Sequence, residues 1–352
     1  MKKILYISNI EVPYRVRFFN ELSKSCDLTV LYERRKSSNR DDKWAFSENS
    51  TYKVEYLDGI KIGNELSFSF KIFNIIKKKW DLVIIGCYNS KIQMIAIIAM
   101  RLMNIPYSIN LDGEPFIDKS FKGYIKKFFL TGAKGYLVAG EKSSKSLRTA
   151  LGINNYIEPY YFSSLNKEEI LNNGSTEYCR DKTVLVIGQY FEYKGMDIAL
   201  EVARRDLSIK YKFVGMGKRT QLFCADMKTI PENVEIIPFL QKEELEDQYK
   251  KCGLLLLPTR QECWGLVINE AASFGMPIVS TWGSGAAVEF LDDNYPQYLA
   301  KSGDVDELYH CIKNILNNDN KEYSHYLKQK SICYNIERNV SVHQKMINTI
   351  CL

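Results

Sequence analysis

Apolar positions along the chain fall into two alternating patterns. A short unbroken run rich in Ile, Leu, Val and Tyr is followed by a longer stretch in which apolar residues return every three or four positions. In the first half "KKILYIS" leads to "RVRFFNELSKS" and then to "DLTVLYE". "DLVIIGC" leads to "KIQMIAIIAMRLMN" and then "PYSINLD", and "GYLVAG" precedes "EKSSKSLRTAL". Unbroken runs suit strands buried on both faces and the periodic stretches suit helices laid over them, so the pattern predicts parallel sheets covered by helices.

Residues 163–182, "SSLNKEEILNNGSTEYCRDK", are polar, show no apolar period and read as a linker. The alternation then restarts with "TVLVIG", "IKYKFVGMG", "VEIIPFL", "GLLLLPT" and "PIVST", each but the last followed by a helical pattern. The expected architecture is α/β, with two Rossmann-like domains at 1–165 and 166–334. Ligands of such sheets gather at the carboxyl ends of the strands, so the loops there hold the candidate chemistry.

The totals narrow the class. A chain of 352 residues, 45% hydrophobic and 26% charged, has the composition of globular domains. Nine cysteines without a C-x-x-C pair fit buried thiols in a reducing compartment better than a disulfide framework or a zinc site. The opening "MKKILYISNIEVPYR" is too short in apolar residues for a signal peptide, and "IQMIAIIAM" falls short of a bilayer span; the expected location is cytoplasmic. Residues 1–165 carry 26 Lys and Arg against 16 Asp and Glu, a net +10, whereas the remainder carries 22 against 26, a net −4. The first half is therefore the one that would approach an anionic surface.

One stretch gathers the candidate chemistry. "PTRQECWGLVINEAASFGMPIVS", residues 258–280, runs from a strand through a loop to a helix that Gly275 and Pro277 stop. Gly265 stands at the helix entry, where the free amides of Leu266 and Val267 favour an anion. Glu262 hangs over that opening and Glu270 reaches back from the helix. Two carboxylates beside a diphosphate would suit the hydroxyls of a nucleotide sugar. On spacing alone the plainer reading is a helix-dipole acid and a solvated loop acid.

The same stretch closely resembles the E-x7-E region of retaining glycosyltransferases of family 4, and "GSGAAVEFL" continues the likeness. "VIGQYFEYKG" resembles the family's strand and loop of form vGRlxxxKG, "FVGMGKR" its vGxGp loop, and "VEIIPFLQKEEL" the segment where the base rests. The resemblance covers residues 183–291. It implies the GT-B fold, with the two parallel sheets facing a central cleft and residues 335–352 as a helix packing back on the first domain.

It also implies roles. Gln189, Lys194, Gly195, Gly215, Gly217, Phe239, Glu262, Gly265, Leu266, Val267 and Glu270 would bind the donor. Lys194 would hold the diphosphate, Glu262 the transferred sugar and Glu270 the ribose. Gln189 departs from the family, which most often has arginine there, and glutamine brings no charge; Lys218 and Arg219 are nearby cations in the sequence. Tyr14, Arg15, Asp112 and Glu114 are the acceptor-side candidates, and Glu262, Lys194 and Asp112 the candidate catalytic groups. Many family members carry an N-domain histidine near the reacting sugar. Here the three histidines, His310, His325 and His343, are near the C-terminus, and Asn110, Asp112 and Glu114 fall about where that histidine would be. The Gly-Gly pair of the first loop is also absent. "LDGE" reads equally well as a simple turn.

The implied function is retaining transfer of a sugar, from a UDP-sugar in preference, to a glycan or lipid-linked oligosaccharide in surface-polysaccharide assembly. No cofactor is expected, since no D-x-D motif is placed as a metal site would need, and no nucleic acid. The alternatives are a nucleotide-sugar epimerase of the same architecture and a non-catalytic nucleotide-sugar-binding partner. "KSFKGYIKKFFL" sets Lys119, Lys122, Lys126 and Lys127 among Phe121, Tyr124, Phe128 and Phe129. It reads either as a helix resting on an anionic membrane or as a core helix with a solvated lysine face.

Overall fold

The unbroken apolar runs are strands and the periodic stretches are helices. The computed structural model describes residues 1–34, 49–62, 65–114, 117–152, 155–174 and 181–352. Two units divide the chain, one made of residues 1–164 with 336–352 and the other of residues 165–335.

The first unit begins with β1 (Lys3–Ile10), α1 (Pro13–Ser23), β2 (Asp27–Arg34), β3 (Lys53–Tyr56), β4 (Ile60–Ile62), β5 (Glu65–Phe68) and α2 (Lys71–Ile76). It continues with β6 (Leu82–Ile85), α3 (Lys91–Leu102), β7 (Tyr107–Leu111), α4 (Phe121–Leu130), β8 (Gly135–Ala139), α5 (Glu141–Leu151) and β9 (Tyr156–Tyr160). Seven of the strands form one sheet in the order β3-β2-β1-β6-β7-β8-β9, with β4 and β5 paired separately. All pairs in that sheet are parallel. Leu5, Ile7, Val83, Ile85, Ile109 and Val138 from the strands pack with Ile92, Ala96, Met100 and Leu147 from the helices. Parallel strands need this cover on both faces, which explains their lack of polar alternation.

The second unit holds α6 (Lys167–Asn172), β10 (Thr183–Ile187), α7 (Met196–Arg204), β11 (Lys210–Val214), α8 (Thr220–Met227), β12 (Val234–Ile237) and α9 (Lys242–Lys251). There follow β13 (Leu254–Leu257), α10 (Leu266–Ser273), β14 (Ile278–Thr281), α11 (Gly285–Leu291), β15 (Leu299–Ala300), α12 (Val305–Asn317) and α13 (Lys321–Cys333). Its sheet runs β12-β11-β10-β13-β14-β15, all parallel. This is the doubly wound order, with the direction of winding reversing between β10 and β13.

The expected linker is in part structured. Asn166 caps α6 in a reciprocal capping box with Glu169, Ile170 is buried, and Asn173 donates to Ser273 Oγ at 2.7 Å. Six residues are too few to display a helical period, so the cap was the only signal. Residues 175–180 of the same stretch lie outside the described residues. The final helix, α14 (Ile336–Ile350), packs against α1 and β9 and buries Val340, His343, Met346 and Ile347. It follows the second unit in sequence and completes the first.

Candidate functional site

In the second unit the loops leaving β10 and β13 are stitched together at the reversal of the sheet. Gly195 takes a left-handed turn (φ +71°) just before α7, and a Cβ there would lie 2.0 Å from the carbonyl oxygen of Pro258. Only glycine lets the two loops approach so closely. The Tyr193 carbonyl accepts from the Arg260 amide at 2.8 Å and from the Thr259 hydroxyl at 2.6 Å. Arg260 makes a two-pronged pair with Asp197 at 2.8 and 2.6 Å. Across this seam Lys194 Nζ forms an ion pair with Glu262, both side chains being mostly buried. Two candidates that stand 68 positions apart in sequence are thus direct partners. The solvated-loop reading of Glu262 is set aside by that burial and by its backbone bridge to Ser284.

Gly265 (φ +107°) starts α10 with no side chain capping it. The Ile268 amide turns back to the Gly265 carbonyl at 2.9 Å, and the amides of Leu266 and Val267 stand at the positive end of the helix, where an anion is favoured. A Cβ on Gly265 would come 3.3 Å from Ser284 Oγ and 3.2 Å from Leu257. Glu270, one turn on, accepts from the Tyr249 hydroxyl at 2.9 Å. Ile268, Ala271 and Ala272 face the core as the helical reading requires. Gly215 and Gly217 both have positive φ, and their amides donate to Ile237 and Pro238 on the β12 side. Phe239 is half-buried on the loop after β12, and Gln189 is half-buried on the loop after β10. The donor-side candidates therefore share one edge of one sheet.

In the first unit the carboxyl ends of β1 and β7 carry the acceptor-side candidates. Arg15, buried near the start of α1, pairs with Asp112 at 2.6 Å, and its guanidinium also lies 5.5 Å from the Phe162 ring. Tyr14 packs edge-on against Phe162. Tyr160 donates toward Asp112 and the Leu111 carbonyl, each at 3.2 Å, and receives the Asn110 amide at 2.8 Å. Glu114 is exposed.

Although the three histidines are near the C-terminus in sequence, one of them belongs to the first unit. His343 on α14 is buried, with Nε2 2.7 Å from Asn110 Oδ1 and Nδ1 2.9 Å from the Asn339 carbonyl. Its ring packs on Phe18 and Tyr160. Burial, aided by the Arg15 charge, holds its pKa down at about 4 despite the Asn339 bond, so the ring is neutral in ordinary buffers and donates through one nitrogen only. Tyr6, Tyr14, Arg15, Phe18, Asn110, Tyr160, Phe162, Ser163, Asn339 and His343 line one small recess, open in part to solvent. His343 and Tyr249 were invisible to motif reading because each acts through a partner brought near only by the fold.

Comparison with known proteins now adds to this geometry. Residues 167–332 match the family described as Glycosyl transferases group 1. An uncharacterized glycosyltransferase of Methanocaldococcus jannaschii is 26% identical over 223 residues, covering 62% of this chain and 60% of that protein. An uncharacterized glycosyltransferase of Haemophilus influenzae is 24% identical over 288 residues, covering 76% and 78%. The crystal structure of Anabaena HepE in complex with UDP and glucose superposes with a TM-score of 0.72 at 13% identity, covering 98% of this chain and 99% of that one. The chain has the GT-B fold, and its second unit resembles the group 1 glycosyl transferases. The family match takes in β10 to β15 and every donor-side candidate, while Tyr14, Arg15, Asp112 and Glu114 fall outside it.

Proposed function

We propose that the protein is a glycosyltransferase that moves a sugar, with retention of anomeric configuration, from a nucleotide diphosphate sugar to a glycan or lipid-linked oligosaccharide in surface-polysaccharide assembly. The observation that carries the reading is the Lys194–Glu262 pair beside the uncapped start of α10, at the winding reversal of the second sheet. HepE, with UDP and glucose bound, makes a UDP-sugar the favoured donor. Donor binding exchanges the pair: the diphosphate takes Lys194 and the α10 amides, and Glu262, released, turns to the sugar hydroxyls. Glu270 accepts from the ribose. As the glycosidic bond to the diphosphate breaks, Lys194 and the helix start stabilise the charge that develops, without a metal ion. The acceptor hydroxyl attacks from the face the diphosphate leaves, and its proton passes to the departing phosphate oxygen. Asp112, held by Arg15 and Tyr160, contacts acceptor hydroxyls.

The acceptor side includes an anionic membrane surface, which fits peripheral attachment to the inner face of the plasma membrane. The favouring observation is that α4 turns its aromatics outward. Phe121, Tyr124 and Phe128 are 80%, 66% and 52% exposed, and Leu102 of the neighbouring α3 is 80% exposed. Arg101 ties the two helices by donating to the Phe128 carbonyl and lying over its ring at 4.7 Å. Phe129, in contrast, is buried. Lys119 and Lys122 are exposed among these rings and Lys126 is half-exposed. The outward rings favour the membrane reading over a core helix with a solvated lysine face. No helix among the described residues is long and apolar enough to cross a membrane.

The test is calorimetry and thermal shift with UDP, GDP and ADP, followed by product analysis with the sugar of the nucleotide that binds. Transfer or slow donor hydrolysis supports the enzyme reading. An altered nucleotide sugar without transfer identifies the epimerase, and binding without any turnover identifies the silent partner.

A further inference from the structure

The cations around the β10 loop are not equivalent. Lys194 is paired with Glu262 and Arg260 with Asp197. Arg219, presented from the turn after β11, lies flat over the Phe191 ring at 3.8 Å and donates to the Tyr190 carbonyl at 3.3 Å. Among the described residues no carboxylate forms an ion pair with it. Phe191 in turn stacks on Tyr193, with centroids 5.5 Å apart and planes 16° apart, and Lys194 Nζ lies 5.7 Å from the Tyr193 ring. Arg219, Phe191, Tyr193 and Lys194 thus form one row, with a cation at each end. The turn itself is close to the β10 exit, since a Cβ on Gly215 would lie 3.8 Å from the Gly188 amide.

An arginine stacked through its face keeps the donors on its edge, and only one of its five is used here. Among the described residues its charge is neutralised by no acid, and the stack holds it in place. A role as a mere latch for the loop is filled by other contacts: Tyr190 donates to Asp226 at 2.9 Å and packs edge-on against Phe223. Gln189, at the start of the same loop, brings no charge. We propose that Arg219 binds the donor's diphosphate as its second cation, supplying from the β11 turn the charge that Gln189 does not bring to the β10 loop. This rests on the donor reading above. The stack fixes where that charge stands relative to Lys194, and the planar guanidinium gives two parallel donors to a pair of phosphate oxygens.

Calorimetry with UDP, GDP and ADP, and with their monophosphates, tests the assignment on wild type, Arg219→Ala and Arg219→Ala combined with Gln189→Arg. The diphosphate that wild type binds is expected to bind Arg219→Ala about tenfold to a hundredfold more weakly, the loss of a charged hydrogen-bonding group. The matching monophosphate should lose much less, and Gln189→Arg should restore much of the diphosphate affinity. Should Arg219→Ala fail to fold by thermal unfolding, Arg219→Gln removes the charge while keeping a hydrogen-bond donor. Equal diphosphate affinity in wild type and variant overturns the assignment while leaving the donor reading intact, and so does an equal loss of mono- and diphosphate. Wild type that binds none of the three diphosphates overturns both.

Discussion

The hydroxyl of Tyr249 on α9 donates to a carboxylate oxygen of Glu270 on α10 at 2.9 Å. Tyr249 is buried and stacked on Phe274, and burial together with the Glu270 charge pushes its pKa well up, so it remains a neutral donor. That bond orients the Glu270 carboxylate. Tyr249→Phe keeps the ring and removes the bond. It should raise the donor KM about three- to tenfold with kcat little changed, the value of one hydrogen bond acting on binding. Glu270→Ala should weaken donor binding more strongly, as initial rates at varied donor will read. Normal transfer by Glu270→Ala would remove it from the donor site.

The seam between the β10 and β13 loops depends on the missing side chain of Gly195. Gly195→Ala places a methyl 2.0 Å from the Pro258 oxygen at φ +71°. It should cost about 2–4 kcal/mol, combining left-handed strain with the displacement of a backbone. Gly152→Ala provides the comparison, since Gly152 has φ +61° but open space around it. That change should cost only the left-handed term, about 1–2 kcal/mol. Urea unfolding of both variants checks the difference, and equal losses would show that the close approach is unimportant.

His343 makes stability depend on pH. Its folded pKa of about 4 lies below the ordinary 6.5, so the unfolded chain binds the extra proton between those values. Stability is therefore full above pH 6.5 and falls as pH drops toward 4, by about 2 kcal/mol between pH 7.5 and pH 5. Urea midpoints at the two pH values, compared between wild type and His343→Gln, isolate this contribution. A variant with the same acid sensitivity as wild type would locate the effect elsewhere.

The outward aromatics of α4 and their lysines predict two separable contributions to membrane binding. Flotation with vesicles of phosphatidylcholine and phosphatidylglycerol should recover wild-type protein. Lys122→Glu with Lys126→Glu should release it and make residual binding insensitive to lipid charge. Phe121→Ser with Tyr124→Ser should weaken binding to every vesicle type, as these rings are exposed and their loss leaves the core intact. Unchanged flotation of both variants would move the surface elsewhere, and a change in oligomeric state on gel filtration would identify a second copy as the occupant.

Strands such as Leu254–Leu257 were legible because burial on both faces demands an unbroken apolar run. β9 was not, for it contains Pro159, which is tolerated at the sheet's edge. β15, only two residues long, carries too little pattern to recognise. At the candidate site, glycines and acids were readable because each stands in a motif with local meaning. Their partners were not. Tyr249 sits in a helix of mostly charged residues, and His343 meets Asn110 across 233 positions. Such pairings arise from topology, which no local window reports.

The path of the chain through the two units has a consequence for its making. The polypeptide leaves the first unit after Ser164 and re-enters it at Ile336. A ribosome that has released residues 1–164 has therefore supplied a sheet whose α1 and β9 flank still lacks α14. The second unit, uninterrupted from Leu165 to Asn335, can close before the first is complete. Maturation of the earlier-made half awaits its latest-made helix, so nonsense truncation after residue 335 should injure the distant beginning of the chain more than the domain immediately before the stop.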